Sequence, residues 1–394
     1  MRINDRLPKP SREEMEHSDR VREYIAAKIH ANGGIINFAD YMHHALYAPG
    51  LGYYSAGLQK FGAQGDFLTA PEISSLFSLC IARFIEGVLT MLGNGDVLEV
   101  GPGSGVMARD MWSHWCTRSV QPTHHFLLEV SADLKARQRA RIAAQSADVY
   151  SRIHWLDDLP RSGFRGVIVA NEVLDAMPVH VFDSRNDAVW ERHVRIQGKL
   201  LAWEPIPVTE GPVSECVLSL MEHWRTDGVS EYQSEINFAM CLWLTRVAEM
   251  LDQGVILVLD YGYPRREYYH PQRSQGTLMC YYKHHGHSDP LIYPGLQDIT
   301  ASIDFTALAD TALACGLDVL SFTTQAHFLL STGLGELMAY EANDNEMLRL
   351  KRAQEAKKLL MPSEMGELIK VLVLGKNLPE DIPALHAFDL RSKL

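Results

Sequence analysis

The sequence predicts an α/β fold built on an open, Rossmann-like sheet, and three observations carry that prediction. Residues 96–110 read Asp-Val-Leu-Glu-Val-Gly-Pro-Gly-Ser-Gly-Val-Met-Ala-Arg-Asp. This is a short apolar run, a turn with Gly101, Gly103 and Gly105, and a helical pattern from Val106. A second apolar run, Phe126-Leu127-Leu128, closes on an acid, Glu129. Two later runs, over 166–170 and 255–259, have the unbroken apolar character of buried strands, and the first ends in Asn171-Glu172.

From the N-terminus, residues 1–18 are polar, charged and proline-containing, and a loose tail is expected there. Val21, Tyr24, Ile25 and Ile29 recur at helical spacing over 19–30, and Asn32-Gly33-Gly34 stops that helix. A second helix is expected over 38–46, then a turn at Pro49-Gly50-Leu51-Gly52-Tyr53-Tyr54. Thr69 is placed to cap one helix running to Leu92, with Pro71 in its first turn and Glu72 completing a capping box. Gly65-Asp66-Phe67 precedes that helix without capping it, so Asp66 stands out as a functional carboxylate. A helix over 132–144 and a third strand ending Leu156-Asp157-Asp158 follow the Glu129 strand. Residues 179–205 alternate apolar and polar around Gln197-Gly198-Lys199, the pattern of an inserted β-hairpin. A helix over 232–251 returns to a fifth strand at 255–262. Residues 263–300 are irregular, in the manner of a lid or substrate surface. A helix (304–315), a strand (317–323), two helices (326–340 and 343–360) and a strand (368–374) complete the chain. The expected division is an N-terminal helical cap or substrate region (1–92), a ligand-binding core (93–178), an insertion (179–250) and the rest of the core (251–394).

The glycine turn constrains the ligand. Its spacing is G-x-G-x-G, not the G-x-G-x-x-G that cradles a pyrophosphate. Glu99, two places before the first glycine, would repel phosphates but could pair with an ammonium. Glu129 lies 24 residues after Gly105, about where a carboxylate takes ribose hydroxyls. Leu156 and Asp157 end the third strand where such a fold places an adenine, and Asp157 could accept from its amino group. A ligand with an amino group, a ribose and no phosphate is met by S-adenosylmethionine, and the turn matches the first motifs of class I methyltransferases. Ligands in open α/β sheets bind at the carboxyl ends of strands. Asn171, Glu172 and Asp175 therefore belong where a transferred methyl group would be.

Composition excludes several alternatives. A formal charge of −12 argues against non-specific binding of nucleic acid or anionic membranes, which needs a basic surface. None of the six cysteines forms a C-x-x-C, which gives neither a zinc motif nor a disulfide framework. His284, His285 and His287 match no metal-binding spacing, and no metal is expected. The apolar window Leu76 to Leu92 contains Arg83 and Glu86 and is not expected to span a membrane. No secretory signal is evident, and a cytoplasmic location is expected.

Further stretches narrow the assignment. They are Gly65-Asp66-Phe67 with Thr69, Pro71, Glu72 and Ser74; Glu99 to Gly105; Asn171-Glu172 with Asp175-Ala176-Met177-Pro178; Asp260-Tyr261-Gly262; Asp298-Ile299-Thr300; and Glu364-Met365-Gly366. The combination resembles the MidA family of S-adenosylmethionine-dependent methyltransferases over roughly residues 20 to 376. That resemblance implies a Rossmann-like sheet of seven strands with the last antiparallel, an N-terminal helical region over the cofactor, and an inserted hairpin. It implies methylation of a protein arginine, in mitochondrial members on a respiratory complex I subunit during complex I assembly. Gly101, Pro102, Gly103 and Gly105 would form the cofactor turn, with Glu99, Glu129, Leu156, Asp157 and Asn171 around it. Glu172 is the first choice to grip the guanidinium, with Asp66, Glu72 or Asp175 as second carboxylate and Asn171 beside them. A small-molecule methyltransferase, an assembly factor that holds a partner protein, and a nicotinamide dehydrogenase are the alternatives. The glycine spacing weighs against the dehydrogenase.

Overall fold

The computed structural model describes residues 7–56, 69–143, 145–185, 188–225, 228–339, 346–379, 381–382 and 388–394. The chain divides into two units: Leu68–Leu174, Trp243–Gly262 and Phe305–Leu394 form one, and Met1–Phe67, Asp175–Leu242 and Tyr263–Asp304 the other.

The first unit is an α/β sheet layered with helices. Its strands are β1 (Asp96–Val100), β2 (His125–Leu128), β3 (Ile153–Leu156), β4 (Phe164–Asn171), β5 (Leu251–Tyr263), β6 (Asp318–Thr324) and β7 (Ile369–Lys376). The main path of the sheet runs β6-β7-β5-β4-β1-β2-β3. Pairing is parallel from β5 to β3, and β7 is antiparallel to both its neighbours. Val167, Val169, Val255, Ile256, Leu257, Val258 and Leu259 are fully buried, as strands covered on both faces must be. From β1 the chain progresses outward to β3, then returns to β4 on the other side of β1. That reversal opens a crevice at the carboxyl ends of β1 and β4, where Val100 pairs with Ala170.

One sequence expectation changes here. The helix expected from Ala70 to Leu92 is two, Ala70–Ile73 and Ser75–Leu92. Ser74 is extended and accepts a hydrogen bond from the Leu76 N–H at 3.2 Å, so it caps the second helix instead of continuing the first. The longer helix is apolar enough to cross a membrane by length and composition, yet Phe77, Cys80, Ile81, Phe84, Ile85 and Val88 sit in the core of this unit.

The other unit joins residues 1–67 to 175–242 and 263–304, so it takes in most of the expected cap and insertion together with the expected lid, whereas 68–92 and 243–250 belong to the sheet unit. A five-stranded antiparallel sheet combines Ile35–Asn37, His180–Arg185, Ala188–Gln197, Leu200–Val208 and Glu231–Ile236. The expected hairpin turn at Gly198 is present. Helices Arg12–Ala31 and Phe38–Tyr47 pack Val21, Ile25, Phe38, Tyr41 and Met42 against Val181 and Val194. Residues 11–18 are therefore not a tail: Ser11 and Glu14 form a reciprocal capping box that starts the first helix at Arg12. Residues 231–236 are a strand, not the start of a helix. The helix begins at Phe238, where Asn237 Oδ1 accepts from the Met240 N–H at 2.8 Å. Within 263–304, strands Met279–Tyr282, His285–His287 and Asp298–Thr300 form a small sheet.

Candidate active site

The site is built at the carboxyl ends of β1, β2 and β4. Gly101, Gly103 and Gly105 all have positive φ, 61°, 54° and 76°, a region open to glycine at little cost. A Cβ on Gly101 would lie 2.9 Å from Val173 Cγ2, so this position also needs glycine for space. The turn is held from behind. Gln138 Nε2 donates to the Gly103 carbonyl at 2.8 Å and to Glu129 Oε2 at 3.1 Å, and Glu129 Oε1 accepts from the Ser131 N–H at 2.8 Å. Glu129 is thus brought beside the turn, as its place in the sequence suggested. Gln138 was not singled out, although its position between Leu134 and Ile142 on the buried face of helix Ala132–Ile142 marks it as an inward polar group.

Glu99 departs from expectation. It is 1% exposed, and its Oε2 faces His125 Nε2 across 3.4 Å, near enough to pair electrostatically but not aligned as a hydrogen bond. The Trp112 indole donates to His125 Nδ1 at 3.1 Å, which leaves the imidazole proton on Nε2, toward Glu99. Burial raises the proton affinity of Glu99 and His125 opposes the rise. Its geometry is that of a buried pair and gives no support to the expected ammonium contact. Asp157 is 96% exposed at the end of β3 and paired with Lys135, which holds its carboxyl below the usual range. Leu156, one residue earlier, ends the strand and accepts from the Glu129 N–H through its carbonyl at 3.4 Å.

Glu172 follows β4 with φ of +51°, a left-handed backbone that costs a non-glycine residue on the order of 1–3 kcal/mol. Asp260, fully buried on β5, holds this turn in place. Its Oδ2 accepts from the Val173 and Leu174 N–H groups at 3.2 and 2.8 Å, and Oδ1 from the Tyr261 N–H at 2.8 Å. Glu172 Oε1 accepts from the Ala70 N–H at 3.1 Å and from Asn171 Nδ2 at 3.4 Å. Burial of the carboxyl pushes its pKa up to about 8; the Ala70 N–H and Asn171 oppose the rise, and Asp260 adds to it. Asn171 Oδ1 is buried and has no hydrogen-bond partner among the described residues.

Of the other candidates, Glu72 lies against the turn. It accepts from the Ser104 hydroxyl, which also accepts from Arg141 at 2.8 Å. The capping box expected of it does not form, since Thr69 makes no side-chain cap bond. Asp175 belongs to the other unit, where it is 8% exposed. Asp66 lies outside the described residues.

Residues 80–323 match the family described as "Putative S-adenosyl-L-methionine-dependent methyltransferase". The chain belongs to that family. The methyltransferase is similar to a Burkholderia thailandensis protein crystallised with S-adenosyl-homocysteine, at 36% identity over 98% of this chain and 100% of that one, with a TM-score of 0.92. A native crystal structure of a Burkholderia thailandensis protein matches with a TM-score of 0.88 at the same identity and coverage. The Danio rerio protein named mitochondrial protein arginine methyltransferase NDUFAF7 is 28% identical over 88% of this chain and 85% of its own length. Its Caenorhabditis elegans homolog is 26% identical over 83% and 80%.

The methyltransferase uses S-adenosylmethionine, and its residues suit that cofactor. Three positive-φ glycines leave positions 101, 103 and 105 of the turn without side chains. Asn171 Oδ1 is a buried acceptor with no donor among the described residues, and the cofactor carries donors at its ammonium, ribose and adenine.

Proposed function

We propose that this methyltransferase acts on an arginine side chain of a protein and that Glu172 holds the guanidinium. The observation that carries the reading is Glu172 itself: a half-buried carboxyl on a left-handed backbone at the β4 end, raised in proton affinity to about 8. S-adenosylmethionine supplies an electrophilic methyl group whose transfer leaves a neutral thioether. An arginine is a poor acceptor because its guanidinium stays protonated at working pH. A carboxylate facing one edge of the fork localises the positive charge away from the attacking nitrogen and stabilises it during transfer. Among the described residues, Ala70 and Asn171 engage Oε1 of Glu172, so we assign Oε2 to the guanidinium. For the cofactor we assign the turn Gly101, Pro102, Gly103 and Gly105, Glu129 at the ribose, Leu156 and Asp157 at the adenine, and the free Asn171 oxygen. The names of the curated relatives support an arginine as acceptor, and the target we favour is a respiratory complex I subunit.

The test is incubation with labelled S-adenosylmethionine and the complex I subunit homologue, followed by mass spectrometry. Label on an arginine is expected. Glu172→Gln should keep S-adenosyl-homocysteine affinity in calorimetry and lose transfer by a hundredfold or more. Unchanged transfer in that variant overturns the assignment.

A further inference from the structure

One short helix touches both ends of the site. In Ala70–Ile73, the first N–H donates to Glu172 Oε1 at 3.1 Å, while the Glu72 side chain reaches the opposite way to the Ser104 hydroxyl in the glycine turn. Arg141, from helix Ala132–Ile142, donates to the same hydroxyl at 2.8 Å and lies 3.7 Å from Glu72 Oε1. Four residues give this helix little stability of its own. Its placement therefore depends on what grips it, and Glu72 is a grip at the cofactor turn.

We propose that Ser104 and Glu72 are positioning residues for methyl transfer: their contact fixes the short helix so that the Ala70 N–H stays on the Glu172 carboxyl. The cofactor turn and the acceptor-binding carboxyl are then joined by a strut of two hydrogen bonds and three residues. This rests on the reading of Glu172 as the group that receives the acceptor. It gives Glu72 a role other than the second guanidinium carboxylate. The charge requirements of the two roles differ. A guanidinium ligand must be an anion, whereas a strut needs only an oxygen that accepts from Ser104.

The groups around the strut set what is measured. Glu172 is faced by Asp260 of β5, by Asn171 of β4 and by the Ala70 N–H. Glu72 is faced by Arg141, and Asp110 of helix Val106–Trp115, itself paired with Arg109, is close enough to feel it. The Ala70 N–H stabilises the ionised carboxyl, so releasing the helix must raise the proton affinity of Glu172.

The experiment uses the full chain with S-adenosyl-homocysteine bound and follows the carboxyl carbon of Glu172 by NMR from pH 5 to 10. The resonance is assigned by its absence in Glu172→Gln. In Glu72→Ala the proton affinity of Glu172 should rise about tenfold, and Ser104→Ala should do the same from the other side of the contact. Glu72→Gln, whose amide oxygen still accepts from Ser104, should stay within about threefold of the parent. An unmoved Glu172 midpoint in both alanine variants overturns the strut. So does a Glu72→Gln protein that titrates normally yet loses arginine methylation, since the charge itself would then be required. If the midpoints move as expected while Glu172→Gln still methylates arginine, the strut stands and the acceptor assignment falls.

Discussion

Glu172 holds a backbone conformation and a proton that most glutamates would give up, and both follow from its surroundings. Asp260 fixes the turn that forces φ to +51°, and burial beside that same aspartate raises the carboxyl to about 8. An acid raised in the folded state binds more protons there than in the unfolded chain between the ordinary carboxylate range and pH 8. Its ionisation therefore lowers stability as pH climbs through that window, levelling above 8. Glu172→Gln removes the effect, so the melting temperature of the variant relative to the parent should increase from pH 5 to pH 8. A cationic acceptor binds only the ionised form. The kcat/KM for the protein substrate should rise nearly tenfold per unit below pH 8 and flatten above it; a profile flat from pH 6 to 9 would contradict the assignment. At Gly101, alanine would combine a left-handed backbone with a 2.9 Å approach to Val173, whose branched side chain has little room to turn. Gly101→Ala should weaken S-adenosyl-homocysteine binding at least tenfold by calorimetry.

Among the elements, the turn after β4 depends on one side chain. Asp260→Ala removes the acceptor for the Val173, Leu174 and Tyr261 N–H groups. Unsatisfied buried groups cost about 1–3 kcal/mol each, so a loss of roughly 3 kcal/mol or more is expected in urea unfolding. This element shows where a sequence can be read and where it cannot. The apolar runs of β1, β4 and β5 declare themselves because buried parallel strands have no polar face, and the glycine turn and Glu129 follow from fixed offsets along the chain. The strand at 231–236 does not. Its Glu235 is 1% exposed and is satisfied by the Thr277 and Leu278 N–H groups, more than 40 residues further on, a pairing with no local trace. The break at Ser74 escaped because Thr69, Pro71 and Glu72 make a plausible helix start, while Glu72 is used by Ser104 on a different segment. The strain at Glu172 is equally silent, since it comes from Asp260, 88 positions away.

At the scale of the whole molecule, the formal charge of −12 bears on how an acceptor arrives. A basic protein segment is drawn to an acidic surface, and salt screens that attraction within about 10 Å at 0.1 M. The KM for a cationic protein substrate should therefore rise several-fold between 50 and 300 mM salt with little change in kcat, as measured by initial rates. The chain threads between its two units five times, and the unit holding the N-terminus is complete only at Asp304. On the ribosome, Val21, Ile25, Phe38 and Met42 emerge well before Val181 and Val194, the strand residues that cover them. Until then, two finished helices carry bare apolar faces, the state in which nascent chains engage chaperones or aggregate. A synthesis arrested before residue 180 would leave a sticky fragment, not a small domain, so this enzyme cannot be shortened from its C-terminus to isolate its N-terminal part.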